Sequence, residues 1–579
     1  MRARLLMLTL LAFVIAVILA FRFNEKSFNT TTSSTSFQKK DIIRCGPDWE
    51  RLEQVFEEVE IPPIPGAGSY TWKISTSSDS AQFYFNQGIN MYYSFHIIEA
   101  MASFKKAAKF DPNSAMLQWA QALAYGPNIN DLGYAASPEA LATTNKAVEL
   151  TATSSAKEKL LIQAMQVRYS DDTTQTRQHL NQLYVDKMKE AYAQYPDDAD
   201  IAALYADAMM LQHPWDLWKI DGTPKSWTPL IRSVLEKLLA KTPDHPGANH
   251  YYIHVMEPSP FADKALPSAD RLGKLTPGLS HTVHMPSHIY LRTGKYGKGV
   301  KVNEEAVNSY KKMIPLYGAV TANDFLYIIH NLHMQTNNAM LDGRSAYSVQ
   351  AAMETRNSIS NDYLAIPGAL GNYIQYIYMT PMLVDVRFGR WNEILNHPQP
   401  NATQVYANIL YRFGRGMAYA QLGKLSGARN EWQQLKQLMK DSSLAIPLSP
   451  FSAAIDGAIV ADNMLAGMIA LKEKDYTEAI RAFDFAVFTE ENMVYNEPRD
   501  WLLNPKHWLG KAYLEANQFV NAEKTFRKDL KNNDENAWAL RGLCLALIGQ
   551  SNIMEANKAM ARFKKAAEKA DVPIKSSVL

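Results

Sequence analysis

An all-α solenoid of stacked antiparallel helix pairs is what this sequence predicts, on three observations. From about Ser80 onward apolar residues recur at helical spacing, and strand-like alternation is scarce. Self-similarity recurs at about 34 residues. Within a unit, a glycine is followed sixteen residues later by a large aromatic: Gly88 by Phe104, Gly416 by Trp432, Gly467 by Phe483 and Gly510 by Phe526. Small residues belong where two helices cross closely, and large ones fill the gaps between successive hairpins.

The bulk numbers agree with a folded chain. Of 579 residues, 47% are apolar and 20% charged. Sixty basic residues against 58 acidic leave a net charge of +2, which gives no reason to expect nucleic acid as a partner. The two cysteines, Cys45 and Cys544, exclude a disulfide framework and a thiolate metal cage.

The elements follow in order. Arg2 and Arg4 precede Leu5 to Phe21, 17 residues without a charge. Residues 1–23 therefore read as a signal-anchor or transmembrane segment, with cleavage after Ala20 as the alternative. The remainder is expected outside the cytoplasm, anchored to the membrane, or secreted if the segment is cut. Residues 24–60 open with a Ser/Thr-rich polar run and read as a flexible linker. Residues 61–345 and 346–579 are expected to form two helical lobes. The segment from Leu211 to Pro229 carries three tryptophans and Pro-bounded turns, so it reads as an inserted loop.

In the repeat units, the glycine, alanine and aromatic positions resemble the tetratricopeptide repeat (TPR) family over most of residues 80–570. The resemblance implies helix pairs winding into a superhelix, with the first helix of each pair lining the concave side.

Thirteen histidines occur, and six fall in two segments, "HPGANHYYIHVME" and "SHTVHMPSHIYLRTGKY". His250 plus 34 is His284, and His254 plus 34 is His288. Each pair is spaced i, i+4 and shares one helical face. Glu257 extends the first stripe and His281 the second. Neighbouring helix axes lie roughly 8–10 Å apart, a gap across which imidazoles can share an ion at metal–nitrogen distances of about 2.0–2.1 Å. The expected ligands are His250, His254, Glu257, His281, His284 and His288, for one metal or two. His330 and His333, spaced i, i+3 in the following unit, are further candidates to close the site. His213 and His507 are weaker candidates, while His96, His179 and His397 read as ordinary histidines. An imidazole-rich set suits zinc, copper or iron rather than magnesium or calcium.

"HYYIH" has the two-histidine spacing of a zinc protease helix, but Tyr251 stands where that motif needs its glutamate, so the protease reading fails. Glu257 is the candidate general base if the site is catalytic. Pro286 marks either a kink or the late start of a helix. The histidine segments, with "YIIHNLHM", "PWDLW", "GPNIN" and "RFGRW", resemble a group of bacterial TPR proteins. That resemblance implies a single histidine site and names no reaction.

Two functions remain open from sequence. One is a transition-metal site in the solenoid groove, supporting metal-dependent hydrolysis or oxidation. The other is a non-enzymatic scaffold that binds a peptide, a protein or a small molecule in the groove. Whether the protein is an enzyme stays undecided.

Overall fold

Glycine and aromatic, sixteen residues apart, meet across helix pairs. A Cβ on Gly467 would lie 2.8 Å from the ring of Phe483, and one on Gly88 or Gly510 would collide with Phe104 or Phe526. The missing side chain lets the two helices of a pair cross closely with the aromatic ring in the crevice. The fourth instance departs from this. Leu465, from the next pair, covers Gly416, and Trp432 turns to donate its indole N–H to Asp462 at 2.6 Å.

In the computed structural model the described residues are 60–579 apart from 132, 133, 135 and 318–324, together with Trp49, Leu52, Val55 and Phe56. The expected N-terminal anchor, most of the linker and Cys45 lie outside them. Asp79–Tyr93 packs on Ile97–Phe110, Val405–Gln421 on Leu425–Leu438, Ala454–Lys472 on Tyr476–Glu491, Pro505–Glu515 on Phe519–Asn532, and Ala537–Gly549 on Ile553–Ala566. Among the described residues there are no strands, only the isolated bridges Trp218–Pro224 and Pro447–Ala453. One apolar core gathers residues from Trp49 to Tyr327, and another from Met340 to Val578.

Among the described residues one helix, Ala454–Lys472, is long and apolar enough to cross a membrane, and 61% of its apolar window is buried within the protein. Its Gly467 seats the Phe483 ring, as a core helix requires.

Four local features position the histidine segments. Pro246 opens the helix Pro246–Met256 at its first turn, and the His245 ring caps it by accepting the Ala248 N–H at 3.1 Å. The next unit is split: Ser280–His284 ends, Met285 keeps right-handed helical angles (φ −50°, ψ −36°), and Pro286 restarts the helix to Arg292. Gly294, at φ +68°, makes the turn into Tyr296–Tyr317, and a Cβ there would strike the Asp534 carbonyl. One π-helical turn, Phe325–Ile329, leads into His330–Leu341. Such turns are frequent at functional sites.

Candidate metal centre

The histidine pairs 34 residues apart do come together, but they divide differently from the expected four around one point. His250, His254 and His281 each place one donor atom within 4.8 Å of the others, and so do His284, His288 and His330. Ring centroids are 4.8 Å apart for His250–His254 and 4.9 Å for His250–His281. In the second triad they are 4.6 Å for His284–His288 and 4.8 Å for His284–His330. Across the two triads, His281 and His284 stand 5.8 Å apart, and His254 and His288 6.5 Å.

Three of the rings are held through Nδ1. His250 Nδ1 meets the Tyr93 carbonyl at 2.7 Å, and His254 Nδ1 meets Glu257 Oε1 at 2.8 Å. His284 Nδ1 meets Asn303 Oδ1 at 2.7 Å. These contacts put the ring proton on Nδ1 and leave Nε2 with a lone pair, the arrangement that orients histidines toward a metal. His250 Nε2, His254 Nε2 and both nitrogens of His281 are buried without a hydrogen-bond partner. Each such atom costs about 1–3 kcal/mol if nothing satisfies it. In the second triad, His284 Nε2 and His288 Nε2 face each other at 2.8 Å. That is hydrogen-bond distance, shorter than the roughly 3.3 Å between two ligand atoms on one tetrahedral ion, so an ion there would replace this bond.

Glu257 stands between the triads. Besides His254, its carboxylate contacts His288 Nδ1 at 2.6 Å and accepts the Tyr495 hydroxyl at 2.9 Å. Sequence reasoning offered Glu257 as a ligand or general base. In this geometry both oxygens are engaged, and they hold one ring from each triad. Glu497 lies 3.6 Å from His288 and 3.3 Å from His330. His254, Glu257 and Glu497 also form a set with donors within 4.8 Å. Two carboxylates therefore stand among six imidazoles.

Burial and charge set the protonation states. Burial pulls His250, His254, His281, His284 and His330 below the ordinary histidine value, and neighbouring imidazoles add to the effect. His288 is the exception. Burial pulls it down, but Glu257 and Glu497 outweigh that and push it up to about 9. Burial pushes both carboxyls up; His288 and His254 overcome this at Glu257 and hold it well below the carboxylate range. Glu497, with Glu257 adding to the burial effect, rises to about 8.

The triads do not line an accessible groove. All six histidines are buried, His330 being the most exposed at 6%. Phe95 stacks on His254 and His281 at 5.7 and 5.5 Å and meets His250 edge-on at 4.4 Å. Trp215, from the inserted loop, stands edge-on to His254 at 5.4 Å. Both covering residues have positive φ, 55° and 60°; Phe95 takes it in the turn between paired helices, as Lys474 and Asn517 do in theirs.

The remaining histidines lie outside the two triads. His333 stands outside the triads, with neither nitrogen partnered and its ring edge-on to Tyr376 at 6.0 Å; burial pushes it down to about 3. His213 stacks on Trp227 at 3.6 Å, and His507 pairs with Asp529 at 3.0 Å. His397 pairs with Asp385 at 2.7 Å. His96 stacks on Tyr327 at 4.4 Å, and His179 lies exposed.

Sequence reasoning missed Glu497, Tyr495, Asn303 and Phe95. Glu497 opens "EPRDW", which by sequence reads as an ordered loop bordering the groove with no role of its own, and Tyr495 lies just before it. No spacing rule links it to histidines well over a hundred residues away in the chain.

No family model and no curated protein matches the sequence. Among solved structures, the human IFIT1 dimer with m7Gppp-AAAA is similar at 10% identity, with 86% of this chain and 92% of that chain covered and a TM-score of 0.31. The APC/C hetero-tetramer Cut9-Hcn1 is similar at 12% identity over 86% and 88%, with a TM-score of 0.28. The P58(IPK) TPR domain is similar at 10% identity over 82% and 99%, with a TM-score of 0.20.

Proposed function

We propose that this protein is a metal-binding helical solenoid, with one transition-metal ion in each histidine triad. The observation that carries this reading is the set of four unpartnered nitrogens on His250, His254 and His281, all buried. Buried polar atoms are normally satisfied, and a cation that prefers nitrogen would satisfy three of these four at once, one from each ring. Zinc, copper and iron have that preference. His254 and His288 are the rings that Glu257 aligns, and Tyr495 in turn steadies Glu257. When bound, such an ion supplies Lewis-acid or redox chemistry. The chain's own part is to fix the rings, to exclude bulk water through Phe95 and Trp215, and to hold negative charge between the triads on Glu257. An enclosed centre of this kind suits a structural role, or a small substrate, better than a polypeptide one.

The test is elemental analysis of protein purified without an affinity tag. About two equivalents of one metal are expected, falling to about one in His250→Ala and in His284→Ala. No metal in the native protein, and none taken up on titration with zinc, copper or iron, overturns the reading. The alternative, a scaffold that binds a peptide, has the exposed Phe485 and Phe488 on Tyr476–Glu491 in its favour. A metal-free protein would support it.

A further inference from the structure

Two arginines beside the histidine centre lack the partners that the other buried and half-buried arginines have. Among the described residues, those others meet a carboxylate, as Arg412 and Arg415 meet Glu431, or a ring face, as Arg387 meets Trp538. Arg292 and Arg499 meet neither. One hydrogen bond holds each: Arg292 Nη2 donates to the Ser259 carbonyl at 3.3 Å, and Arg499 Nη2 donates to Asn533 Oδ1. In both side chains Nε is buried without a partner. A guanidinium carries five N–H donors in a fixed fork, and a charge taken out of water is ordinarily paired.

The two side chains belong to one corner of the molecule. Arg292 ends the helix Pro286–Arg292, four residues after His288 and on the same face. Two residues on, Gly294 lies against the Asp534 carbonyl, and the Tyr296 hydroxyl donates to that carbonyl at 2.8 Å. Asn533, which holds Arg499, is the residue before. Arg499 follows Glu497 by two residues and Tyr495 by four, and the Tyr495 hydroxyl reaches Glu257 at 2.9 Å. Both arginines are half-buried, so each keeps some contact with solvent. Burial pulls the Arg292 guanidinium below its ordinary value, and the like charge of Arg499 adds to this. Glu257 does not neutralise the pair. Its oxygens are engaged by His254, His288 and Tyr495.

We propose that Arg292 and Arg499 form a site for a small oxyanion, the phosphate or carboxylate group of a ligand, at the edge of the histidine centre. Guanidinium forks match such groups two donors at a time. An anion there supplies the counter-charge that the fold leaves out, and it relieves the repulsion between the two arginines. The assignment goes beyond the metal reading and stands without it. A ligand anchored at this corner has its remainder next to the second triad, because His288 lies one helical turn from Arg292.

The test is calorimetric titration of the full-length protein, as purified, with inorganic phosphate and separately with acetate, at constant ionic strength and with the metal content of each sample measured. Phosphate is expected to bind saturably, and more tightly than acetate because it carries more charge. Tighter binding of acetate would keep the site and name carboxylate as its group. Arg292→Gln and Arg499→Gln are each expected to weaken the bound anion at least about tenfold. Arg481→Gln is the control: Arg481 carries the same charge on an exposed face, paired with Glu478, and its loss should leave the affinity unchanged. Melting curves supply a second readout, since the anion should raise the melting temperature of the native chain and not that of the two variants. No saturable binding of either anion, an equal loss in Arg481→Gln, unchanged affinity in both arginine variants, or a loss that follows metal content overturns the assignment.

Discussion

Replacing Glu257 by glutamine should separate the two triads. The carboxylate accepts from His254 Nδ1 at 2.8 Å, from the Tyr495 hydroxyl at 2.9 Å, and pairs with His288 Nδ1 at 2.6 Å. A carboxamide of the same shape has one acceptor oxygen and one NH2 donor. Its oxygen can take the proton of only one of the two rings. The NH2 then faces the other ring's Nδ1, whose proton must move to Nε2, the nitrogen assigned to the metal. Loss of such an orienting partner costs 10–100-fold in metal affinity, or about 1.4–2.8 kcal/mol. The assay is stepwise competition for zinc between a chromophoric chelator and metal-free protein, with Glu257→Gln compared to the native chain. One binding step should keep its affinity within a few-fold, and the other should weaken 10–100-fold. A far-UV melting curve confirms that the variant is folded. Two unchanged steps in a folded variant would refute the role given to Glu257.

Other outcomes follow from the same geometry. Glu497→Gln should weaken only the step assigned to His284, His288 and His330, because Glu497 contacts His288 and His330 at 3.6 and 3.3 Å; chelator competition reads this, and equal weakening of both steps would contradict it. Gly510→Ala should cost about 1–3 kcal/mol by overpacking against Phe526, measured by urea denaturation, whereas Gly423→Ala, with no neighbour close to the added Cβ, should show only the smaller strain of φ +73°. Asp131 is a pH probe away from the histidines, since burial pushes its carboxyl up to about 7. The folded chain then binds a proton that the unfolded chain has released above pH ~4, so stability falls as pH rises from there to about 7. Asp131→Asn should therefore raise the melting temperature at pH 8 and leave it nearly unchanged at pH 4; the reverse order would refute the shift.

The sequence made some features legible and hid others for physical reasons. The glycine–aromatic spacing was visible because close helix crossing is a local, repeated demand on side-chain size, and three of its four instances pack as that demand requires. The 34-residue recurrence of His250/His254 and His284/His288 was visible for the same reason. The division into triads was not. It depends on His281 and His330 joining from their own turns, and on Phe95 and Trp215 pressing the rings from distant segments. Pro286 could be read as a kink or as a helix start, and it is a start that scarcely bends the chain, because Met285 keeps helical angles. Glu497 reaches its site only through the packing of distant helices, which no periodicity in one dimension records. The expectation of ligands lining the concave face missed the enclosure for the same reason.

Diffraction from native, untagged crystals, recorded at the zinc, copper and iron absorption edges, tests the central claim most directly. Two anomalous peaks are predicted, one among His250, His254 and His281 and one among His284, His288 and His330. A single peak shared by His250, His254, His284 and His288, or no peak at any edge after soaking with metal, would contradict the account.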